Sequence, residues 1–155
     1  MARLIVYKLA REGFAATHVQ DGVDALAYLT QHQVDVLITE LLLPGVDGFQ
    51  LLRRLGLNEA KRPGICIVLS SRGGEEDVLE ALKLGADDFI AKPFSMEVLA
   101  ARVDLALRNQ NSHPVQSDKN PVELAVVASL PGDAEAGAKN NAGAITGVET
   151  ISEVS

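Results

Sequence analysis

Residues 36–48 read VLITELLLPGVDG: a short apolar run, a single carboxylate at Glu40, and then a loop that contains proline and glycine. A run of this kind, rich in aliphatic and β-branched residues, is typical of a strand that is buried on both faces of a parallel sheet. Open α/β sheets place their working groups at the carboxyl ends of such strands. The segment therefore predicts a parallel α/β sheet with Glu40 at its functional edge.

Helical and strand patterns alternate on either side of this segment. A helical pattern covers residues 2–12, and four strand patterns follow, each ahead of its own helix, at residues 14–19, 34–39, 64–69 and 86–91. Strands that alternate with helices predict a doubly wound parallel sheet with helices on both faces. Because the pattern begins with a helix, the strand that should precede this helix is missing from it.

Length, charge and cysteine content limit the class of protein. The chain has 155 residues, 47% of them apolar, and a formal net charge of −7, which fits one globular domain. It has no basic stripe and no apolar run near the roughly 20 residues that span a bilayer, so we expect no direct nucleic-acid contact and no membrane segment. Its single cysteine, Cys66, lies in an apolar strand pattern. We therefore expect a cytoplasmic protein without disulfides.

The composition changes after residue 108. Residues 109–155 contain no Phe, Trp or Tyr and are rich in Ala, Gly, Asn, Ser and Val, so we expect most of this tail to be disordered. One run within it, residues 122–130, reads VELAVVASL and favours a strand. The sequence thus predicts a domain over 1–108 and a low-complexity tail over 109–155 with a possible strand at 122–130.

Several motifs between residues 2 and 108, in a consistent order, resemble the receiver domain of bacterial response regulators. They include LLLPGVDGF at 41–49, IVLSSR at 67–72 and, as the most specific, GADDFIAKPF at 85–94. The subtype is most similar to the winged-helix transcriptional regulators. This resemblance implies a flavodoxin-like parallel sheet with strand order 2-1-3-4-5, here lacking its first strand, and a role in two-component phosphorelay signalling.

The resemblance also implies which residues form the site. Glu40 occupies the phosphoacceptor position, where the family has an aspartate, and Ser70 matches the switch hydroxyl. Phe89 matches the switch aromatic residue. Lys92 matches the lysine that contacts the phosphoryl group, and the family holds the bond to the following proline, Pro93, in the cis form.

The chain departs from the family at the metal site. In the family, two acids at the end of the first strand bind a divalent cation beside the phosphoacceptor, and such cations need several oxygen ligands. Because that strand is absent, we expect the Mg²⁺ site to be lost, with no metal, no cofactor and no catalytic residue. Lys92 should then pair with Glu40. Glu40 is either a built-in phosphomimic that keeps Lys92 and Ser70 in the active arrangement, or a drifted residue in a decaying site.

The missing strand is the middle one in the order 2-1-3-4-5, so its absence leaves a slot between two strands with unpaired edges. Residues 122–130 are a candidate to fill this slot, as in a circular permutation. This repair would not restore the metal site, because Ala128 and Ser129 stand where acids are needed. The competing interpretation is that the tail is a flexible appendage.

The resemblance also implies a possible dimer face. Winged-helix regulators dimerise through the fourth helix, fifth strand and fifth helix, which charge pairs hold together. Asp88 and Arg102 match one pair, whereas Val78 and Val98 stand at the positions of another. Since apolar contacts can replace buried ion pairs at little cost, a homodimer with an apolar contact is one interpretation. Two surface valines on a monomer are the other.

Two functional hypotheses remain. In the first, the chain is a degenerate, phosphorylation-independent receiver-like module that acts through contacts with a sensor histidine kinase or another receiver domain, and it is not an enzyme. In the second, it is a fragment of a complete DNA-binding response regulator whose first strand and acidic pair lie upstream. An enzyme on a flavodoxin-like sheet is less favoured, because the sequence has no nucleophile–base pair and no Gly-rich phosphate loop after a strand.

Overall fold

The computed structural model describes residues 1–110, 121–128 and 149–151. No helix in these ranges is both long enough and apolar enough to cross a membrane. The described residues contain the α-helices α1 (Ala2–Arg11), α2 (Gly22–Gln31), α3 (Gly48–Gly56), α4 (Glu75–Lys83) and α5 (Met96–Gln110), with one 3₁₀ turn at Glu59–Lys61.

The strands form one sheet in the order β4-β3-β2-β5-β1-β6. Every pairing is parallel except that of β6 with β1, which is antiparallel. The predicted doubly wound parallel α/β sheet is therefore confirmed. The strands are β1 (Ala15–Val19), β2 (Val36–Glu40), β3 (Ile65–Ser70), β4 (Asp88–Ala91), β5 (Glu123–Val127) and β6 (Glu149–Ile151).

The central slot of the sheet is filled by β5, which comes from the predicted tail. β5 lies parallel to both β1 and β2; Leu124 is level with Ala16 and Val36, and Val127 with Val19 and Thr39. The order β1-β5-β2-β3-β4 corresponds to the expected order 2-1-3-4-5, with β5 in the position of strand 1. The structure shows this segment inserted into the slot, which is the first of the two interpretations of residues 122–130.

The side chains of β5 alternate between two apolar cores, as the two-residue period of a strand requires. Leu124 and Val126 enter the core that the sheet forms with α1 and α5. Ala125 and Val127 enter the core on the other face, against α2, α3 and α4. All four side chains are at most 1% exposed. The short run of Leu, Ala and Val is therefore suited to a strand buried on both faces.

The edge strand β6 was not anticipated from the sequence, which predicted disorder for most of residues 109–155. It pairs with the edge of β1 opposite β5, so that Ala16, Thr17 and His18 have a partner strand on both sides. Most of the predicted disorder falls on residues that the structure does not describe, namely 111–120, 129–148 and 152–155. Positions 129 and 130 of the candidate strand are among them.

Candidate functional site

The carboxyl ends of the parallel strands bring three of the predicted site residues to one edge of the sheet. Glu40 is the last residue of β2, and Ser70 is the last residue of β3. Lys92 directly follows β4, and its backbone N–H donates to the Ser70 carbonyl at 2.8 Å. Because neighbouring parallel strands all end here, residues far apart in the sequence become neighbours.

Glu40 and Lys92 form a direct ion pair, the pairing expected from the sequence. Nζ of Lys92 donates to Oε1 of Glu40. The side chains are only 16% (Glu40) and 19% (Lys92) exposed, so water screens the pair much less than it screens an ion pair on the open surface. The Lys92–Pro93 peptide bond is cis, as the resemblance implies.

The loop after Glu40 is packed closely against the end of β2. The Gly48 N–H donates to the Leu41 carbonyl at 2.8 Å. A β-carbon at Gly48 would lie only 2.8 Å from the Glu40 carbonyl oxygen, so this position requires glycine. Asp47 and Gln50 then form a capping box that begins α3. The PGVDG part of the motif thus has a structural reason, because it turns the chain tightly into α3 beside Glu40.

Ser70 and Phe89 have other local partners. The Ser70 side chain is 3% exposed, and its Oγ accepts a hydrogen bond from the Arg72 N–H at 2.9 Å. Phe89 is partly buried and packs against the core on the α2–α4 face of the sheet. The structure therefore places Ser70 beside the ion pair along the edge, with its hydroxyl bonded to the β3–α4 loop, and places Phe89 against the core.

Side chains that could hold a metal are sparse at this edge. In the described part of the chain, no group of three or more His, Cys, Asp and Glu is arranged to hold a metal ion. Val127 is level with Thr39, so Ala128 is the residue beside Glu40 on the neighbouring strand. Ala128 is 1% exposed and has no oxygen in its side chain. Ser129, the other position that would need an acid, lies outside the described residues.

His18 lies at this edge of the sheet and contacts the end of β5, which was not expected from the sequence. It lies on β1, is 2% exposed, and its Nε2 is 2.7 Å from the Ala128 carbonyl oxygen. Because a carbonyl oxygen can only accept, Nε2 must carry the proton. The Ala128 N–H in turn donates to the Val19 carbonyl at 3.1 Å. The end of β5 is thus fixed to β1, and the sequence signal was only a histidine in a strand pattern.

The predicted dimer face has its charge pair satisfied within one chain. Nη1 of Arg102 donates to Oδ1 of Asp88 at 3.1 Å and to Oδ2 at 2.9 Å. Val78 is half-buried and Val98 is 46% exposed. The dimer therefore stays a prediction, in which Val98 offers exposed apolar surface and the charge pair would have to reorganise to bridge two copies.

Cys66 is confirmed as a buried free thiol in β3. Burial raises the pKa of this thiol to about 12, so it is protonated at neutral pH. Since the thiolate is the reactive form, both the burial and the raised pKa disfavour reaction at Cys66.

Comparison with known proteins identifies relatives of this arrangement. The family model described as "Response regulator receiver domain" matches residues 1–104. The response regulator GtcR of Aneurinibacillus migulanus is 43% identical over 100 residues, which are 64% of this chain and 40% of that protein. The chain therefore spans well under half the length of this curated relative.

Two solved structures are similar in both sequence and fold. One is the receiver domain of the Francisella response regulator 1452, with 31% identity and a TM-score of 0.64, covering 70% of this chain and 88% of that one. The other is the signal receiver domain of a signal transduction histidine kinase from Syntrophus aciditrophicus, with 31% identity and a TM-score of 0.65, covering 77% and 89%.

Proposed function

The chain belongs to the response regulator receiver domain family, and on that premise we propose that it is a receiver-like module of a two-component system that works without being phosphorylated. Receiver domains are signalling modules that contact histidine kinases or other signalling proteins. In this proposal the chain contacts a sensor histidine kinase or another receiver domain and does not turn over a phosphoryl group.

The observation that carries the proposal is the ion pair of Glu40 with Lys92 at the phosphoacceptor position. In this proposal the Glu40 carboxyl group occupies the phosphoacceptor position, and the lysine that would contact a phosphoryl group is already paired with it. A phosphoryl donor would have to break this largely buried pair before it could reach either group.

The surroundings of the pair support the same proposal. Phosphoryl transfer depends on electrostatic stabilisation, which a metal ion usually supplies, and hard cations need several oxygen ligands. The neighbouring strand offers the methyl group of Ala128 beside Glu40. The site therefore has one carboxylate where a magnesium site needs a cluster.

Ser70 helps to decide between a phosphomimic and a self-neutralised pair. A mimic of the phosphorylated state would recruit the switch hydroxyl towards Glu40 and Lys92. The Ser70 Oγ instead accepts from the Arg72 N–H. This favours a site whose two charges neutralise each other and hold the ends of β2 and β4 together.

The test is phosphorylation by a small phosphodonor. The purified chain is incubated with acetyl phosphate and Mg²⁺ and examined by intact-mass spectrometry, beside Glu40→Asp and the double variant Glu40→Asp/Ala128→Asp. We expect no phosphoryl adduct on the first two proteins, because restoring the aspartate alone does not supply metal ligands. The double variant places two carboxylates on adjacent strands and should gain Mg²⁺ affinity by titration. A phosphoryl adduct on the unmodified chain would contradict the proposal.

The second candidate function is that of a piece of a longer DNA-binding response regulator. The match to GtcR, which covers only 40% of that protein, favours it. In such a protein, an upstream strand and β5 would compete for one slot. Hydrogen exchange on a longer product with the upstream codons translated distinguishes the two. Protection of residues 122–128 supports the shorter module, and rapid exchange there supports the longer protein.

A further inference from the structure

β5 occupies its slot through contacts that do not depend on how it is joined to the rest of the chain. At its start, the Asp35 N–H donates to the Glu123 carbonyl and the Glu123 N–H donates to Oδ2 of Asp35, each at 2.9 Å. At its end, His18 and Val19 hold Ala128. Hydrogen bonds at both ends and the alternating burial between them fix the direction and register of the strand. The slot is thus a specific binding site for one extended apolar segment.

The connection between α5 and β5 is longer than the distance it has to cover. The side chain of Gln110, at the end of α5, donates to the carbonyl of Gly64, which directly precedes β3. β3, β2 and β5 are neighbouring strands, so Gln110 lies about two strand spacings, roughly 10 Å, from the start of β5. Residues 111–120 reach up to roughly 35 Å when extended. The connection therefore has spare length, which is what a strand needs to enter the slot of a second molecule.

We propose that the slot between β1 and β2 also accepts residues 121–128 from a second copy of this chain, so that two copies exchange their central strands. Every contact of β5 is the same in the exchanged and unexchanged states, which is the condition for domain swapping. In the exchanged dimer, the residue beside Glu40, Ala128, is contributed by the other copy.

The balance between the two states depends on concentration. A short tether gives its own strand an effective concentration of about millimolar, so the unexchanged form predominates at micromolar protein. Exchange becomes dominant when a chain cannot use its own strand. This separates strand exchange from a dimer through α4 and α5, which does not need a free strand.

The experiment uses two full-length variants that are each defective in one half of the contact. Val126→Asp puts a charge in the middle of the strand and leaves the slot intact. Ile38→Asp puts a charge in β2 at the position level with Val126 and leaves the strand intact. Both wild-type side chains are fully buried, so neither variant should form a complete sheet alone. Mixed one to one, the second variant can supply its strand to the slot of the first.

We expect native mass spectrometry to detect a heterodimer in this mixture. Hydrogen exchange should show protection of β1 and β2 in the Val126→Asp chain when it is mixed with Ile38→Asp, and no such protection when it is alone. The control replaces the second variant by Ile38→Asp/Val126→Asp, which has no intact strand and should give neither signal. No heterodimer in the mixture, or full protection of Val126→Asp alone, would overturn the proposal.

A second measurement uses the wild-type chain and so does not depend on the folding of a variant. Unlabelled and ¹⁵N-labelled chains are unfolded together and refolded at increasing concentration. We expect dimers of intermediate mass that increase towards millimolar protein and persist on dilution longer than a surface dimer would. Monomers at every concentration would contradict strand exchange.

Discussion

At the scale of single residues, Glu40 and Lys92 form an ion pair between two largely buried side chains, and such a pair is costly to break from one side. Removing one member of a buried pair leaves the other charge without compensation and costs about 3–5 kcal/mol when burial is complete. Here each side chain keeps some exposure, 16% and 19%, so the cost should be smaller. The pair therefore links the ends of β2 and β4 across β3, and most of its effect on stability is that neither charge is left unpaired.

We predict that Glu40→Gln lowers the free energy of unfolding by about 1–3 kcal/mol, because Lys92 keeps its charge and loses its partner. The double variant Glu40→Gln/Lys92→Met should recover part of this loss, since no charge is left unpaired. Urea unfolding of the single and double variants measures the coupling. Asp88→Asn is the matched control: its pair with Arg102 is more exposed, and it should cost about 1 kcal/mol or less. Equal losses for Glu40→Gln and Asp88→Asn would contradict this prediction.

At the scale of elements, the start of β5 carries an ionisable group, Glu123, whose charged form is disfavoured in the folded protein. Burial raises the pKa of the Glu123 carboxyl group, the charge of Asp35 raises it further, and His32 opposes these effects. The folded protein therefore keeps this proton to a higher pH than the unfolded chain does. The contribution of Glu123 to stability is fully present below its ordinary pKa of 4.5 and is lost as the pH rises through the folded value.

We predict that Glu123→Gln raises the melting temperature at neutral pH and leaves it unchanged at about pH 3.5, where the wild-type carboxyl group is protonated in both states. Melting curves across this range give the difference, which should grow as the pH rises above 4.5. Glu97→Gln on α5 is the control for the loss of one carboxylate, because the Glu97 side chain is 77% exposed. A difference for Glu123→Gln that is largest in acid would contradict the assigned direction.

At the scale of the whole molecule, much of the sheet was predictable because its strands and helices follow local patterns. The runs at 34–39 and 64–69 are apolar enough to identify as buried strands, and the parallel order follows from their alternation with helices. The ion pair of Glu40 with Lys92 was expected because the resemblance places both residues in one site.

Other features depend on contacts that no local pattern encodes. Residues 122–130 favour a strand, but their position in the central slot depends on tertiary pairing with β1 and β2. β6 is three residues long, too short to give a period. His18 is buried, and its contact with the Ala128 carbonyl exists because β5 ends beside it. The position of β5 and its contact with His18 follow from filling the slot, which the sequence left as one of two interpretations.

We predict that removing β5 exposes the whole centre of the sheet. A chain ending at Gln110 leaves β1 and β2 with unpaired backbone groups, each of which costs about 1–3 kcal/mol if it stays buried, against total stabilities of about 5–15 kcal/mol. Hydrogen exchange should therefore be rapid in β1 and β2 of this chain and slow in the full chain. A chain ending at residue 131 is the control, because it keeps β5 and, of the described strands, loses only β6; it should keep β2 protected. Equal protection of β2 with and without β5 would mean that the two halves of the sheet close on each other, and the central strand would then not be what holds this receiver domain together.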